Sequence, residues 1–513
     1  MSFTTPIPTY LFYDIETSGL SKPFDQVFQF AAIRTDLSLN ILERHDITIQ
    51  LRPDLIPSPL ASITHRISLK NLDSGISEYQ AMRQIHALLN TPGTISLGYN
   101  TLTFDDEFLR FGFYRNLLSP YTHQYANQCS RMDLYPMTVM FYLFHKAQEN
   151  NSNNLINLQI PQKDGSASFK LENISKLNQL AEGPAHNAMI DVEATLELAK
   201  RLIKDRPLFD YLSGYFHKKT DEERQLKLPT VLFNNGQIAH LGLLVLPKIG
   251  AKYLYQAGVI GLGQHAHYKN QYGWLRLDLP ELQELKNLDK NNLDKNNPEL
   301  IKILRDKTFV IQKKLGEVGF LLPYQEKYFY KIKKERLELI KNNLDFLTQH
   351  PEIFEFIKTY WTEFKYPICP NTDIHAALYQ SDFWTAQETK QIQSFHQTLN
   401  QDLNLKNNFE SSYAQLLKIT NPQILELGER ILAREIFHLN PENNLDLDFK
   451  NKFKKYLSSI YSLDADTRPL DFTGKHQYGL PDFQADFQAA QKRELDQDQQ
   501  DLLKELKEKF LGS

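Results

Sequence analysis

What this chain has little of narrows it first. Two cysteines, Cys129 and Cys369, lie far apart in 513 residues. That excludes a disulfide framework or a zinc cluster and suits a reducing compartment. Charge of one sign is also missing, since 58 Lys and Arg stand against 62 Asp and Glu for a net −4. No global basic field announces a nucleic acid, so a polyanion would need a local basic groove. No apolar run approaches the roughly 20 residues that a membrane helix needs. The first residues, MSFTTPIPTY, lack the basic start and apolar core of a secretory signal. The absence of a sustained internal period excludes a helical-repeat architecture. The expectation is a soluble, cytoplasmic protein without membrane contact, too long for one core and therefore divided into two to four domains.

What is there is organised around LFYDIETSG, Leu11 to Gly19. An apolar run delivers two carboxylates, Asp14 and Glu16, and stops at a Thr-Ser-Gly turn. Alternate residues of a strand share a face, so these acids stand side by side and repel each other. A divalent cation with oxygen ligands relieves that repulsion, as does open solvent. Val27 to Thr35 and Ile41 to Leu51 read as further strands of an antiparallel meander, broken by Pro53, Pro57 and Pro59. Ser77 to Leu89 has helical spacing, and Thr94 to Gly98 resembles a short buried strand. In GYNTLTFDDEFLRFGFYR, Gly98 to Arg115, the residues Phe104, Phe108 and Phe111 share a helical face. Asp105 and Asp106 fall in its first turn, where acids complement the helix dipole. One of the two could instead be a metal ligand facing Asp14, and local pattern does not choose between them. Phe169 to Leu180 is an amphipathic helix. Beyond it, Gly183 and Pro184 form a turn that bears His186, and Asp191 lies five residues on inside a long helix.

D-x-E on a strand, FDD opening a helix and H-x4-D leading into a helix, in that order, resemble the DEDD exonuclease superfamily in its histidine-containing branch. The longer strings LFYDIETSGL, QFAAIRTDLSLN, LGYNTLTFDDEFLRFGFYRN, SFKLENI and AHNAMIDVEATLELAK are similar to those of the bacterial exodeoxyribonuclease I family. The resemblance covers roughly residues 10 to 205 and thins beyond. It implies that Asp14, Glu16, Asp105 and Asp191 hold metal and that His186 is the general base. It also selects Asp105 over Asp106, because the family uses the first acid of FDDE. The implied activity is 3′→5′ hydrolysis of single-stranded DNA to 5′-mononucleotides, in repair and recombination. The implied cofactor is a pair of Mg²⁺ ions, with Mn²⁺ as a substitute. The implied partners are single-stranded DNA and the C-terminal tail of single-stranded-DNA-binding protein, with the chain a monomer. The chemistry suits the residues. Phosphodiester cleavage needs an activated water and relief of charge on the leaving oxygen, which a two-metal carboxylate site provides. A histidine that titrates near neutrality is suited to take the proton.

Substrate contacts are expected from Glu16, from Tyr99 and Asn100 around the 3′ end, and from Phe104 by stacking on bases. Phe111, Tyr114 and Phe169 are further stacking candidates, although aromatics at helical spacing also read as core. Arg115 and Lys170 are expected to reach phosphates.

The expected fold class is α/β. The resemblance implies a ribonuclease-H-like exonuclease domain (residues 1–205), then an SH3-like β-barrel domain (206–355) and a C-terminal helical domain (356–513). Short β-like runs at Thr230 to Phe233, Ala239 to Leu246, Tyr253 to Ile260, Tyr272 to Leu277 and Thr308 to Gln312 support the middle unit. A twofold LDKNN echo, Leu288 to Asn297, reads as a polar surface insertion. Lys331, Lys333, Lys334 and Arg336 form either a solvated helix face or a phosphate-tracking strip. Phe364 to Trp384 reads as a linker. Rival readings are a DEDD nuclease preferring RNA and a catalytically silent single-strand clamp. The five working residues at the catalytic positions argue against the second.

Overall fold

The computed structural model describes residues 6–144, 156–158, 168–183, 186–289, 293–329, 331–400, 405–439 and 448–512. Pro184 of the expected turn and residues 290–292 of the LDKNN echo lie outside the described residues. Period-two alternation sorts the side chains of β1 (Thr9–Thr17). Leu11, Tyr13 and Ile15 fill one core, and Tyr10 and Phe12 fill another. Asp14 and Glu16 share parity with Tyr10 and Phe12. They therefore emerge on the face against which the helix Ala188–Leu202 packs.

Around β1 the sheet order is β3 (Ile41–Thr48), β2 (Val27–Thr35), β1, β4 (Thr94–Gly98) and β5 (Ser130–Asp133). β2 runs antiparallel to β1, and β3 antiparallel to β2. β4 and β5 run parallel to β1. The opposite face is covered by the helices Glu78–Leu89 and Asp105–Arg115, whose Met82, Ile85, Phe108 and Phe113 meet Leu11 and Ile15. This is the ribonuclease-H-like α/β arrangement expected. β5 escaped the sequence reading because SRMD is short and carries no alternation.

Antiparallel strands build the second sheet: β6 (Thr230–Leu232), β7 (Ile238–Val245), β8 (Gln256–Gln264), β9 (Gln271–Arg276), β10 (Val310–Lys314) and β11 (Phe320–Pro323). Their order is β10-β9-β8-β7-β11, with β6 on β7. β8 begins later than its apolar run implies, because Leu254 and Tyr255 hold φ of 50° and 59° and end a turn there. β10 also begins late, after a helix Pro298–Lys307 that the polar echo before it concealed. The helices Lys334–Gln349 and Pro351–Glu363 cover the sheet through Ile340, Phe346, Phe354 and Ile357.

Several expectations change here. Arg336 of the basic strip is half-buried and donates to Asp278 and to the carbonyls of Tyr253 and Gln256, so it holds the sheet rather than a phosphate. Lys331 sits over the Tyr142 ring at 3.8 Å, leaving Lys333 and Lys334 exposed. The expected linker is exposed at both ends, but its middle, Ile374 to Leu378, is core. Asp373 caps Ile374–Tyr379 through the His375 N–H and pairs with Arg430 at 2.8 Å, and His375 and Ala376 are buried. Phe111 and Tyr114 are buried in the same cluster as Ile374, Leu378, Phe395 and Ile431. They pack the C-terminal helices onto the first sheet and are not stacking surfaces.

Where β4 ends, Gly98 lets the chain pass close to β1. A Cβ there would fall 2.5 Å from the Tyr13 carbonyl oxygen and 2.2 Å from Thr101 Cγ2. Gly98→Ala is expected to cost about 1–3 kcal/mol through overpacking, read as a lowered midpoint in urea unfolding. An unchanged midpoint would show that the two strand ends can separate freely.

Candidate active site

The first and fourth strands end at one cleft of about 840 Å³. Asp14, Glu16, Asp105, Asp191 and His186 all line it. β1 parity delivers Asp14 and Glu16. Asp191 arrives in the first turn of Ala188–Leu202, whose N-terminus is capped by the Asn187 side chain. One carboxylate oxygen each from Asp14, Glu16 and Asp191 lie within 4.8 Å of one another. Asp105 opens its helix after β4 and stands beside this trio, and its Oδ1 accepts the Ile15 N–H at 3.2 Å. Such crowding has an electrostatic signature. Burial, then the charges of Asp105, Glu16 and Asp191, push Asp14 well above the usual carboxylate range. Burial with Asp191 and Asp105 raises Glu16 to about 9, and burial foremost raises Asp105 to about 7. Asp191 is also raised, by burial, while the neighbouring His186 opposes the shift. Four oxygen donors that share one cleft and resist ionisation together fit a hard divalent cation.

Asp106, one residue along, has the opposite environment. It is fully buried and paired with Arg110 at 2.6 Å, His123 at 2.7 Å and Arg131. Burial works against its charge, but Arg110 and Arg131 prevail and hold it well below the usual range. Asp106 is a structural ion and Asp105 faces the cleft, a distinction that local sequence left open.

His186 is exposed at the cleft with φ of 64°, and its backbone N–H donates to Asp191 Oδ2 at 3.2 Å. Tyr99 and Asn100 line the same cleft. The Tyr99 hydroxyl donates to the Phe169 carbonyl at 2.6 Å, and Asn100 takes φ of 70°. Phe104 also lines the cleft, with its ring 4.9 Å from Phe108. Phe169 is core. Lys170 is exposed just before the helix Leu171–Asn178 and is not among the residues that line the cleft. Arg115 is a correction. It is 1% exposed and bound to Glu78 at 2.9 Å and to the carbonyls of Pro23 and Asp25, so no phosphate can reach it.

Sequence reasoning missed several residues. Asp133, at the end of β5, accepts the N–H groups of Asn100 at 2.9 Å, Leu102 at 3.1 Å and Tyr135 at 2.9 Å, which fixes the loop leading to Asp105. Burial raises it to about 7 against those three bonds. Ser58, His65, Tyr478, Asp486 and Arg493 complete the cleft wall. Asp486 accepts from Ser58 Oγ at 2.6 Å and from the Tyr478 hydroxyl at 2.9 Å. No local pattern marks these residues, because the chain joins them only in three dimensions.

Residues 11–199 match the profile of the Exonuclease family. Exodeoxyribonuclease I of Escherichia coli (strain K12) is 37% identical over 215 residues, 41% of this chain and 43% of that protein. Exodeoxyribonuclease I of Buchnera aphidicola subsp. Acyrthosiphon pisum is 36% identical over 214 residues, 41% of this chain and 50% of that protein. These matches span half or less of the relatives' own length. The crystal structure of E. coli exonuclease I with a dA16 oligonucleotide superposes with a TM-score of 0.75 at 23% identity, over 97% of this chain and 98% of that one. The zinc-bound form of the E. coli exonuclease I complex with single-stranded DNA gives a TM-score of 0.72 at 23% identity, over 98% of each chain. At that identity the likeness is one of fold, and it extends through both sheets and the C-terminal helices.

The raised carboxylates carry a sign that can be tested. In the fold these acids keep protons that the unfolded chain releases near pH 4. Their stabilising contribution is therefore present at low pH and is lost as pH rises through about 7 for Asp105 and about 9 for Glu16. Asp14→Asn removes one of the competing charges. At pH 8 without metal it is expected to melt higher than the unaltered chain, and to lose the rise in Tm that divalent cations give the latter. A variant that still responds fully to the cation would take Asp14 out of the ligand set.

Proposed function

We propose that this chain is a divalent-metal-dependent 3′→5′ exonuclease that degrades single-stranded DNA to 5′-mononucleotides. The observation that carries the reading is the convergence of three carboxylate oxygens within 4.8 Å, with Asp105 beside them and an exposed histidine at the same cleft. The two relatives matched over 41% of this chain are exodeoxyribonucleases, and the two superposed structures were solved with DNA, which supports single-stranded DNA as substrate.

Asp14, Glu16, Asp105 and Asp191 would hold Mg²⁺, or Mn²⁺ in its place, and the bound cations would lower the pKa of water and neutralise charge on the leaving oxygen. The remaining steps belong to the chain. His186 takes the proton of the attacking water through its imidazole, and its backbone bond to Asp191 Oδ2 keeps that loop against the ligand set. The water oxygen joins phosphorus, the P–O3′ bond breaks, the leaving O3′ takes up a proton from solvent, and a 5′-mononucleotide separates from a strand that ends in a new 3′-hydroxyl. Glu16 would face the scissile nucleotide, and Tyr99, Asn100 and Phe104, which line the same cleft, would border it. Lys170, with Lys333 and Lys334, would meet phosphates further along the strand, where exposed cations add affinity that falls with salt.

The proposal keeps a division near residues 205 and 355 and reads the second sheet as the SH3-like barrel. The tail of single-stranded-DNA-binding protein, a monomeric state, a cytoplasmic location and a role in repair belong to the same reading. Two unpaired cysteines accord with a reducing compartment. Among the described residues no helix is long and apolar enough to cross a membrane.

The test is digestion of 3′- and 5′-labelled single-stranded DNA, duplex DNA and single-stranded RNA, with Mg²⁺ and with EDTA. Mononucleotide release from the 3′ end of DNA, abolished by EDTA, is expected. Consumption of RNA in preference would overturn the substrate, and binding without cleavage under every metal would favour a silent clamp. His186→Ala is expected to lower kcat by roughly 10²- to 10⁴-fold with little change in DNA affinity. Near-normal turnover would remove the base assignment.

A further inference from the structure

A second histidine belongs to the cleft, and no part of the mechanism above uses it. His65 ends the short helix Pro59–His65, and it is 6% exposed among the residues lining the cleft. The next residue, Arg66, takes the left-handed conformation at φ of 61° and returns its N–H to the Ser62 carbonyl. That reversal brings the Ile67 N–H to 3.0 Å from His65 Nδ1. A backbone N–H can only donate, so Nδ1 is the acceptor and the ring proton of the neutral imidazole sits on Nε2. Burial keeps the ring neutral by holding its pKa down to about 3, with the nearby His186 adding to the effect. Among the described residues Nε2 has no hydrogen-bond partner. A buried donor without an acceptor is unfavourable, and an incoming acceptor relieves that cost.

The ring is also held in place. It stands edge-on to Phe28 of β2, with centroids 5.7 Å apart at 89°. The C-terminal region fixes the helix from its other side. Gln499 donates to the Ile63 carbonyl at 2.9 Å, Asp496 pairs with Arg66 at 2.6 Å, and Asp486 receives Ser58 at 2.6 Å. An imidazole restrained to one tautomer in the wall of a cleft is a preorganised neutral donor.

We propose that His65 is a nucleotide-binding residue, donating from Nε2–H to an oxygen of the 3′-terminal nucleotide in the cleft. The proposal rests on the exonuclease reading only for the identity of the ligand. A neutral donor of this kind stabilises bound substrate and transition state alike, so it acts on affinity and leaves the chemical step untouched.

Two substitutions separate the donor from the packing. His65→Asn places an amide oxygen where Nδ1 accepts the Ile67 N–H but has nothing at the Nε2 position. His65→Gln places an amide N–H near the Nε2 position. The full chain and both variants are titrated with dTMP in Mg²⁺ and with thymidine, and KM and kcat are measured on single-stranded DNA. His65→Asn is expected to weaken dTMP by roughly 3- to 10-fold and to raise KM similarly, with kcat within about twofold. His65→Gln is expected to recover most of that loss. A loss shared by thymidine places the acceptor on the nucleoside, and a loss confined to dTMP places it on the phosphate. The proposal is overturned if His65→Asn binds both probes like the unaltered chain and only Tm falls, or if His65→Gln is as weak as His65→Asn. An unaltered chain that binds dTMP but cleaves no strand would overturn the exonuclease reading and leave His65 standing.

Discussion

Repulsion among carboxylates crowded at one strand end is the constraint that the rest of this structure serves. Asp14 and Glu16 cannot separate, because β1 fixes both on one face. Asp105 and Asp191 are brought to them by helices on opposite faces of the sheet, each anchored by its own core. Backbone donors hold the last two in place: Ile15 for Asp105 and His186 for Asp191. Among the described residues lining the cleft, only Arg493 carries a permanent positive charge. The protein supplies position and leaves the charge for something else to neutralise.

Elsewhere the same chain surrounds two buried acids, Asp106 and Glu78, with cations. Asp106 takes Arg110, Arg131 and His123, and Arg131 reaches on to Glu317 of the turn between β10 and β11. Glu78 takes Arg52 and Arg115 at 2.9 Å and Arg434 at 3.1 Å, which holds its carboxyl far below the usual range despite burial. Removing the shared acid of either cluster is expected to cost about 3–5 kcal/mol, because buried arginines then lose their counter-charge. The two clusters flank the helix Asp105–Arg115, and each joins the first sheet to a later part of the chain. Against that background a set of acids without arginines stands out as a functional feature, which is the inference perturbed ionisation supports best.

How much of this was legible in the sequence follows from how local each feature is. The parity of Asp14 and Glu16, the helix that opens at Asp105 and the helix that carries Asp191 are all written in short strings, so four of the five strands of the first sheet and the positions of its candidate acids could be read locally. The choice of Asp105 over Asp106 came only from resemblance, because it depends on Arg131 and His123, distant in the chain. Arg115 was misread for the same reason. A terminal arginine on a helix looks available until Glu78, fixed by another helix, is seen to occupy it. The segment after Phe364 carries two prolines and polar residues and so reads as a linker, yet the Asp373–Arg430 pair anchors its middle, Ile374 to Leu378, in the core. Boundaries slipped at β8 and β10, where positive φ at Leu254 and Tyr255 and an unexpected helix left no sequence signature.

The wall that faces the carboxylates shows why the C-terminal helices cannot be treated as an appendage. Phe28 of β2, Ile63 and Leu69 share one core with Phe483, Phe487, Leu503 and Leu506. The short helix ending at His65 therefore has sheet on one side and C-terminal helices on the other, with Glu505 accepting the N–H groups of Leu69 and Lys70 just beyond it. A seven-residue helix has no independent stability, since nucleation alone outweighs so few internal bonds. Its position is a consequence of the cores on both sides. The part of the chain with the thinnest sequence resemblance thus builds one side of the cleft. Loosening the contacts of Gln499 or Asp496 would reach the site through His65 and Ser58, without touching any of the four acids.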